Sequence, residues 1–218
     1  PVLPIENLVI VEKTDVRAQA QICYDAENLY LHFTAWENEI RAVEEGITGM
    51  PCWDSCMEFF FCPQEGDSRY LNFEVNPNGC MHIGYGSNIE TALKIIPNRD
   101  DREANIFAPE ITRFDGGWEL TYKIPVSFIR RLFPDFALYS GKTIRANFYK
   151  CAEKTSAPHF MTWNVITRRG RSIFHTPTRR YMSSYIFHKS VYGYYREPYP
   201  RNIIHVAKLK KKSKPTNE

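Results

Sequence analysis

Two stretches concentrate the residues that could do chemistry: Trp53-Asp-Ser-Cys-Met-Glu-Phe-Phe-Phe61 and Tyr70-Leu-Asn-Phe-Glu-Val-Asn-Pro-Asn-Gly79. Each sets carboxylates and amides into an apolar, aromatic run, where a charge is costly to desolvate unless something pairs with it. Asn147-Phe-Tyr-Lys-Cys151, Phe160-Met-Thr-Trp-Asn164 and Phe174-His-Thr-Pro177 repeat that mixture later in the chain. Such an inventory suits a sugar. A pyranose offers a flat patch of C–H bonds to an aromatic face, and its hydroxyls both donate to and accept from carboxylates and amides. The candidates are Glu37 at the end of one strand, Trp53 opening another, Asn72 and Glu74 on the next, and Trp163, Phe174 and His175 near the end.

Packing explains some of these residues equally well. A core of this size must bury several aromatics, and Trp36, Trp118 and Trp163 read first as such. Trp53 follows Gly49-Met-Pro-Cys in a loop and divides between exposed platform and packing residue. Asp54 and Glu58 are four apart, which puts them on one face of a strand, about 13 Å along it. There Glu58 reads as a buried carboxylate paired with Arg145 or Arg69. Phe174 and His175 read as a strand-entry plug or as ligand contacts.

The elements that must position these side chains have a period of two. Val16, Ala18, Ala20 and Ile22 alternate with polar neighbours, and Leu29 to Trp36 returns after an Asp25–Asn28 turn, giving a hairpin. Met57 to Cys62, Arg69 to Val75 and Cys80 to Gly84 read as strands, the last two joined by Asn76-Pro-Asn-Gly79. Glu103 to Arg113 pairs with Gly117 to Ile124. Lys142 to Cys151, Phe160 to Ile166 and Ser183 to His188 complete the set. The only convincing helix follows Pro125, with Phe128, Ile129 and Leu132 on one face before Pro134. The pattern predicts an all-β fold, an antiparallel β-sandwich or jelly roll with one short helix.

The chain has 218 residues, 43% hydrophobic and 14% aromatic, enough for one large core. We place that module at 1–190 and an aromatic, proline-rich extension with a lysine tail at 191–218. A net charge of +3 argues against a nucleic-acid partner. No apolar run approaches the roughly 18 residues that a membrane-spanning helix needs. The opening Pro-Val-Leu-Pro-Ile-Glu lacks the pattern of a signal peptide. The six cysteines have no zinc-finger spacing and sit mostly in strand-like runs, so they read as reduced thiols and favour the cytoplasm, or secretion if a signal has been trimmed. We expect no cofactor and no metal, and nothing in the sequence points to a particular oligomeric state.

The order Leu29-Tyr-Leu-His-Phe, Trp-Asp-Ser-Cys-x-Glu-Phe-Phe, Tyr-x-Asn-Phe-Glu-x-Asn-x-x-Gly, Trp-Glu-Leu-Thr before Ile-Pro, Asn-Phe-Tyr-Lys-Cys, Thr-Trp-Asn and Phe-His-x-Pro resembles the family 9 carbohydrate-binding modules, especially their stand-alone, family 9-like group. The resemblance spans roughly Arg17 to Phe187. It implies a non-catalytic β-sandwich that clamps a terminal sugar between two aromatic rings, here Trp53 and Phe174, with Glu37, Asn72 and Glu74 as polar partners. Such modules often serve glycoside hydrolases in carbohydrate catabolism. This chain departs from the xylanase-attached members by carrying Glu74 where they use an arginine, and Phe174 in place of a second tryptophan. The excess of acidic residues in this set favours a neutral sugar.

Three other functions compete. A glycoside-hydrolysing enzyme would need two carboxyl groups about 5 to 9 Å apart, for which Glu37 with Asp54 or Glu74 is available. The related DOMON-type sandwiches suggest haem, with Met81, His82 and Met161 as possible ligands. A protein-interaction role would suit the tyrosine-rich extension.

Overall fold

The computed structural model describes residues 1–9, 11–87 and 92–165, with the backbone of 203–205 and 207–208. In chain order the strands are β1 (Leu3–Ile5), β2 (Asn7–Leu8), β3 (Arg17–Tyr24), β4 (Asn28–Trp36), β5 (Cys56–Cys62), β6 (Tyr70–Val75), β7 (Met81–Gly86) and β8 (Leu93–Lys94). A short helix α1 (Arg99–Glu103) precedes β9 (Glu110–Phe114) and β10 (Gly117–Pro125). Helix α2 (Val126–Arg130), β11 (Thr143–Ala152), β12 (His159–Thr162), β13 (Ile203–His205) and β14 (Ala207–Lys208) follow. Two sheets result. One has the order β1-β3-β4-β10-β9 with β14 beside β3; the other runs β2-β12-β11-β5-β6-β7-β8 with β13 beside β11. Among the described residues every pairing is antiparallel except β14 with β3.

The expected sandwich is therefore present, with the expected hairpins. Along β4, Leu29, Leu31, Phe33 and Ala35 point inward and are buried, and the β3–β4 register sets Ala20 against Phe33 and Ile22 against Leu31. The second sheet contributes Phe59, Phe61, Phe73 and Phe148 to the same core, with the Phe59 and Phe148 rings stacked at 5.0 Å. Asn76-Pro-Asn-Gly79 turns β6 into β7 because Asn76 Oδ1 accepts from the backbone of Asn78 and Cys80, while Gly79 takes a φ of +74°.

Several local expectations are corrected. The helix after Pro125 stops at Arg130, and α1 equals it in length. The expected strand from Glu103 begins only at Glu110, since Asn98 caps α1 by accepting from the Asp101 N–H at 2.8 Å. Apart from these corrections, β13 pairs with β11 and β14 with β3, one strand for each sheet. The expected strand at Ser183 to His188 lies outside the described residues.

Candidate functional site

Because β5 is buried on both sides, its alternate residues belong to two different environments. Met57, Phe59 and Phe61 face the sandwich core, while Cys56, Glu58, Phe60 and Cys62 face the far side of the sheet. Register carries the far face outward in rows. Glu58 lies opposite Tyr149 on β11 and Glu74 on β6, and Glu74 lies opposite His82 on β7. The next row is Asn147, Phe60, Asn72, Gly84 and Lys94. A second apolar cluster of Cys52, Cys56, Phe60, Cys62, Tyr70, Tyr149, Cys151 and Phe160 lies on this same side.

Polar groups within the far face are incompletely matched. Asn72 donates from Nδ2 to Glu74 Oε1 at 2.7 Å. Asn72 Oδ1, Glu74 Oε2 and His82 Nδ1 are buried atoms without a hydrogen-bond partner. Native proteins rarely leave such atoms unmatched, because each costs about 1–3 kcal/mol. Gly84 adds room beside them: a Cβ there would rest 3.4 Å from Asn72 Cβ and 3.6 Å from His82 Nε2. Burial, and then the facing Glu74, push the Glu58 carboxyl well above the usual range. Its bonded neighbour is the Cys151 thiol, which donates to Oε1 at 2.9 Å. The expected guanidinium partners are elsewhere: Arg69 pairs with Asp67, and Arg145 donates to the Asp67 carbonyl.

Trp53 ends a 3-10 turn, Pro51–Trp53, that packs on β5, β6 and β11. The turn is held by Asp54, which lies outside β5 and does not share a strand face with Glu58. Asp54 Oδ2 accepts from the backbone of Val43 and Glu44 and from Asn76 Nδ2, and Oδ1 pairs with Arg41. Trp53 itself is half-buried, with the Lys154 ammonium 3.1 Å above its ring centroid. An exposed lysine thus rests on one face of the expected platform.

Four other candidates fall away from this patch or beyond the described residues. Glu37 is buried between the sheets, accepting from Trp118 Nε1 at 2.6 Å, with its Oε2 2.9 Å from Lys150 Nζ. That contact is an ion pair by distance, although Oε2 lacks well-aligned hydrogen-bond geometry. Since Lys150 pairs with Met57 and its neighbour Tyr149 with Glu58, Glu37 lies across the sheet from Asn72 and Glu74. Trp163 likewise packs on the core, edge-on to Phe148 at 5.8 Å. Phe174 and His175 lie outside the described residues.

The rival chemistries are not assembled among the described residues. Glu37 is committed to Lys150 and Asp54 to its loop, so neither is free for acid–base work with Glu74. Met81 and Met161 pack against the core while His82 is on the far face, so they do not form an axial pair for haem. No helix among these residues is long and apolar enough to cross a membrane.

What remains is a two-sheet sandwich with a polar, partly unmatched sheet face beside a tryptophan, the form of a non-catalytic sugar-binding module. The chain belongs to carbohydrate-binding family 9, whose model matches residues 12–182. A candidate carbohydrate-binding protein from Bacteroides uniformis shares 30% identity, covering 81% of this chain and 82% of its own, with a TM-score of 0.63. A family 9 module from Caldicellulosiruptor kristjanssonii in complex with cellotriose shares the fold at 12% identity and a TM-score of 0.52, over 75% of this chain and 72% of its own. The structure described as a family 9 module of that organism with glucose gives 13% identity and a TM-score of 0.50, over 73% and 72%. No curated protein matches the chain.

Sequence reasoning singled out Asn72 and Glu74 but passed over His82 as a sugar contact, and Gly84 and Lys94 altogether. The signal was the Asn76–Gly79 hairpin, which fixes β7 in register with β6 and so delivers every second residue of Met81–Gly86 to the same face.

Proposed function

We propose that the far face of the larger sheet binds a neutral, glucose-type sugar or the end of a glucan chain, with Asn72, Glu74 and His82 taking its hydroxyls. One observation carries this reading: three side chains on one face of two paired strands, Asn72, Glu74 and His82, each leave a buried polar atom unmatched, and the position opposite Asn72 is the side-chain-free Gly84. Asn72 Oδ1 and Glu74 Oε2 accept from hydroxyls, and the two nitrogens of His82 can serve either way by tautomer. Trp53 lies at the edge of the patch as the stacking ring, reached once the exposed Lys154 ammonium swings aside. Phe174 is taken as the second stacking ring on the family resemblance alone, with His175 next to it in sequence as a further candidate contact. Glu37 and Trp163 act through the fold in this reading. The complexes of two structural neighbours with cellotriose and glucose support the choice of sugar. Service to glycoside hydrolases in carbohydrate breakdown belongs to the same proposal, and six free thiols, five of them buried, support a reducing compartment.

Calorimetric titration with glucose, cellotriose and glucuronate tests it. Micromolar or weaker binding of the neutral sugars is expected, since a few stacking and hydrogen-bond terms must offset the immobilisation of the ligand. A hydrogen bond to a charged group is worth about 1.5–3 kcal/mol, so Glu74→Ala should weaken binding roughly tenfold or more. Gly84→Leu, at an ordinary strand φ, should block the patch while leaving the melting temperature near that of the parent. Full-strength binding by both variants would move the site elsewhere.

A further inference from the structure

The far face also holds a cluster that sugar binding does not use. Cys56 and Cys151 are direct cross-strand partners on β5 and β11, and Glu58 lies two residues from Cys56 on the same side. All three are buried, and their Sγ and carboxylate oxygen atoms lie within 4.8 Å of one another. Around a tetrahedral ion with metal–sulfur bonds of about 2.3 Å and metal–oxygen bonds of about 2.0–2.2 Å, neighbouring donors stand roughly 3.5–3.8 Å apart. The observed triangle brackets that size, with all edges within 4.8 Å and the Cys151 Sγ to Glu58 Oε1 edge at 2.9 Å.

Charge points the same way. Glu58 faces Glu74 on the neighbouring strand, and among the described residues no lysine or arginine makes an ion pair with either. The ammonium on the adjoining strand, Lys150, is turned through the sheet to Glu37. A buried carboxylate pair of this kind is matched either by a retained proton or by a cation that displaces it.

We propose that Cys56, Glu58 and Cys151 bind a thiophilic divalent cation of the zinc class, leaving one coordination position to water. Two thiolates and one carboxylate suit a borderline-soft ion, and they disfavour calcium and magnesium, which take oxygen donors. Burial pushes the Cys56 thiol up to about 12 and raises the Cys151 thiol and the Glu58 carboxyl, so ion binding displaces protons and tightens as pH rises. The proposal stands apart from the sugar-binding reading.

The test is cobalt(II) titration of the full chain under reductant, followed by displacement with zinc(II). One equivalent should give thiolate-to-cobalt charge-transfer bands with tetrahedral ligand-field bands, and zinc should abolish them. Cys56→Ser and Cys151→Ser should each lower affinity at least a hundredfold and Glu58→Gln about tenfold, while Cys62→Ser keeps the parent spectrum. Should a serine variant fail to fold, the parent protein still decides the matter: zinc must raise its melting temperature and a chelator must reverse the shift. Absence of charge-transfer bands in the reduced parent, or bands surviving both serine changes, overturns the assignment. So does quantitative recovery of a Cys56–Cys151 disulfide after isolation under reductant.

Discussion

Glu37→Ala is expected to destabilise the fold by about 3–5 kcal/mol in denaturant titration, the cost of leaving a buried charge without its partner. Lys150 has no solvent exposure, and its ammonium donates to His159 Nε2 at 2.9 Å and the Cys151 carbonyl at 3.0 Å and forms an ion pair with Glu37 Oε2 at 2.9 Å. Removing the carboxylate strands that ammonium and also deprives Trp118 Nε1 of its acceptor. The arrangement fixes the histidine as well. Nε2 faces an ammonium and must accept, so Nδ1 carries the proton and donates to the Ala157 carbonyl at 3.0 Å. Burial, followed by the Lys150 charge, lowers His159 to about 4. Combining Glu37→Leu with Lys150→Met should recover part of the loss, because an apolar pair of similar volume does without the charges while Trp118 Nε1 and His159 Nε2 still lose their partners. A single-variant loss below about 1 kcal/mol would show that the pair is hydrated.

The case of Glu37 shows where sequence reasoning reached and where it stopped. Period-two patterning placed β3, β4, β5, β6 and β10 because their side chains alternate between core and exterior, and that alternation is local. It placed Asn72 and Glu74 on one face for the same reason. The partners of a charge are not local. Glu37 and Lys150 are 113 positions apart, and only the β11–β5 register reveals that Lys150 faces inward. Cys56 and Cys151 met the same limit, since nothing in their spacing along the chain marks them as partners. The structure instead joins Cys56 across strands to Cys151. Asp54 deceived in another way. Its four-residue spacing from Glu58 implied one strand face, but Pro51 opens a 3-10 turn that lifts Asp54 out of the strand to anchor the loop. Helix α1 was legible in principle from the Asn98 cap and the acidic first turn of Asp100 and Asp101, and the neighbouring β-like run obscured it.

Glu58→Gln is expected to raise stability at neutral pH and to flatten its pH dependence. The Glu58 carboxyl titrates well above its ordinary range in the folded protein, first through burial and then through Glu74, whereas the unfolded chain ionises it near about 4.3. Between those two values the folded state holds a proton that the unfolded state has lost. The stabilisation from this group is therefore complete below the unfolded value and drains away as pH rises towards the folded one, at about 1.4 kcal/mol per pH unit. Glutamine removes the titration. It can keep the bond from the Cys151 thiol through its carbonyl, and its amide supplies a donor towards Glu74 Oε2, which has none. Melting temperatures from pH 4 to 8, with chelator present, should converge for the two proteins at the acid end and separate towards neutrality, the variant above. Asp25, Asp67 and Asp101 sit below the usual carboxylate range through their hydrogen bonds and push stability the other way, but they are common to both proteins and cancel in the difference. Parallel curves would mean that Glu58 ionises normally. The Glu58–Glu74 pairing would then cost the fold nothing, and the unmatched oxygen of Glu74 would no longer mark a site kept at the expense of stability.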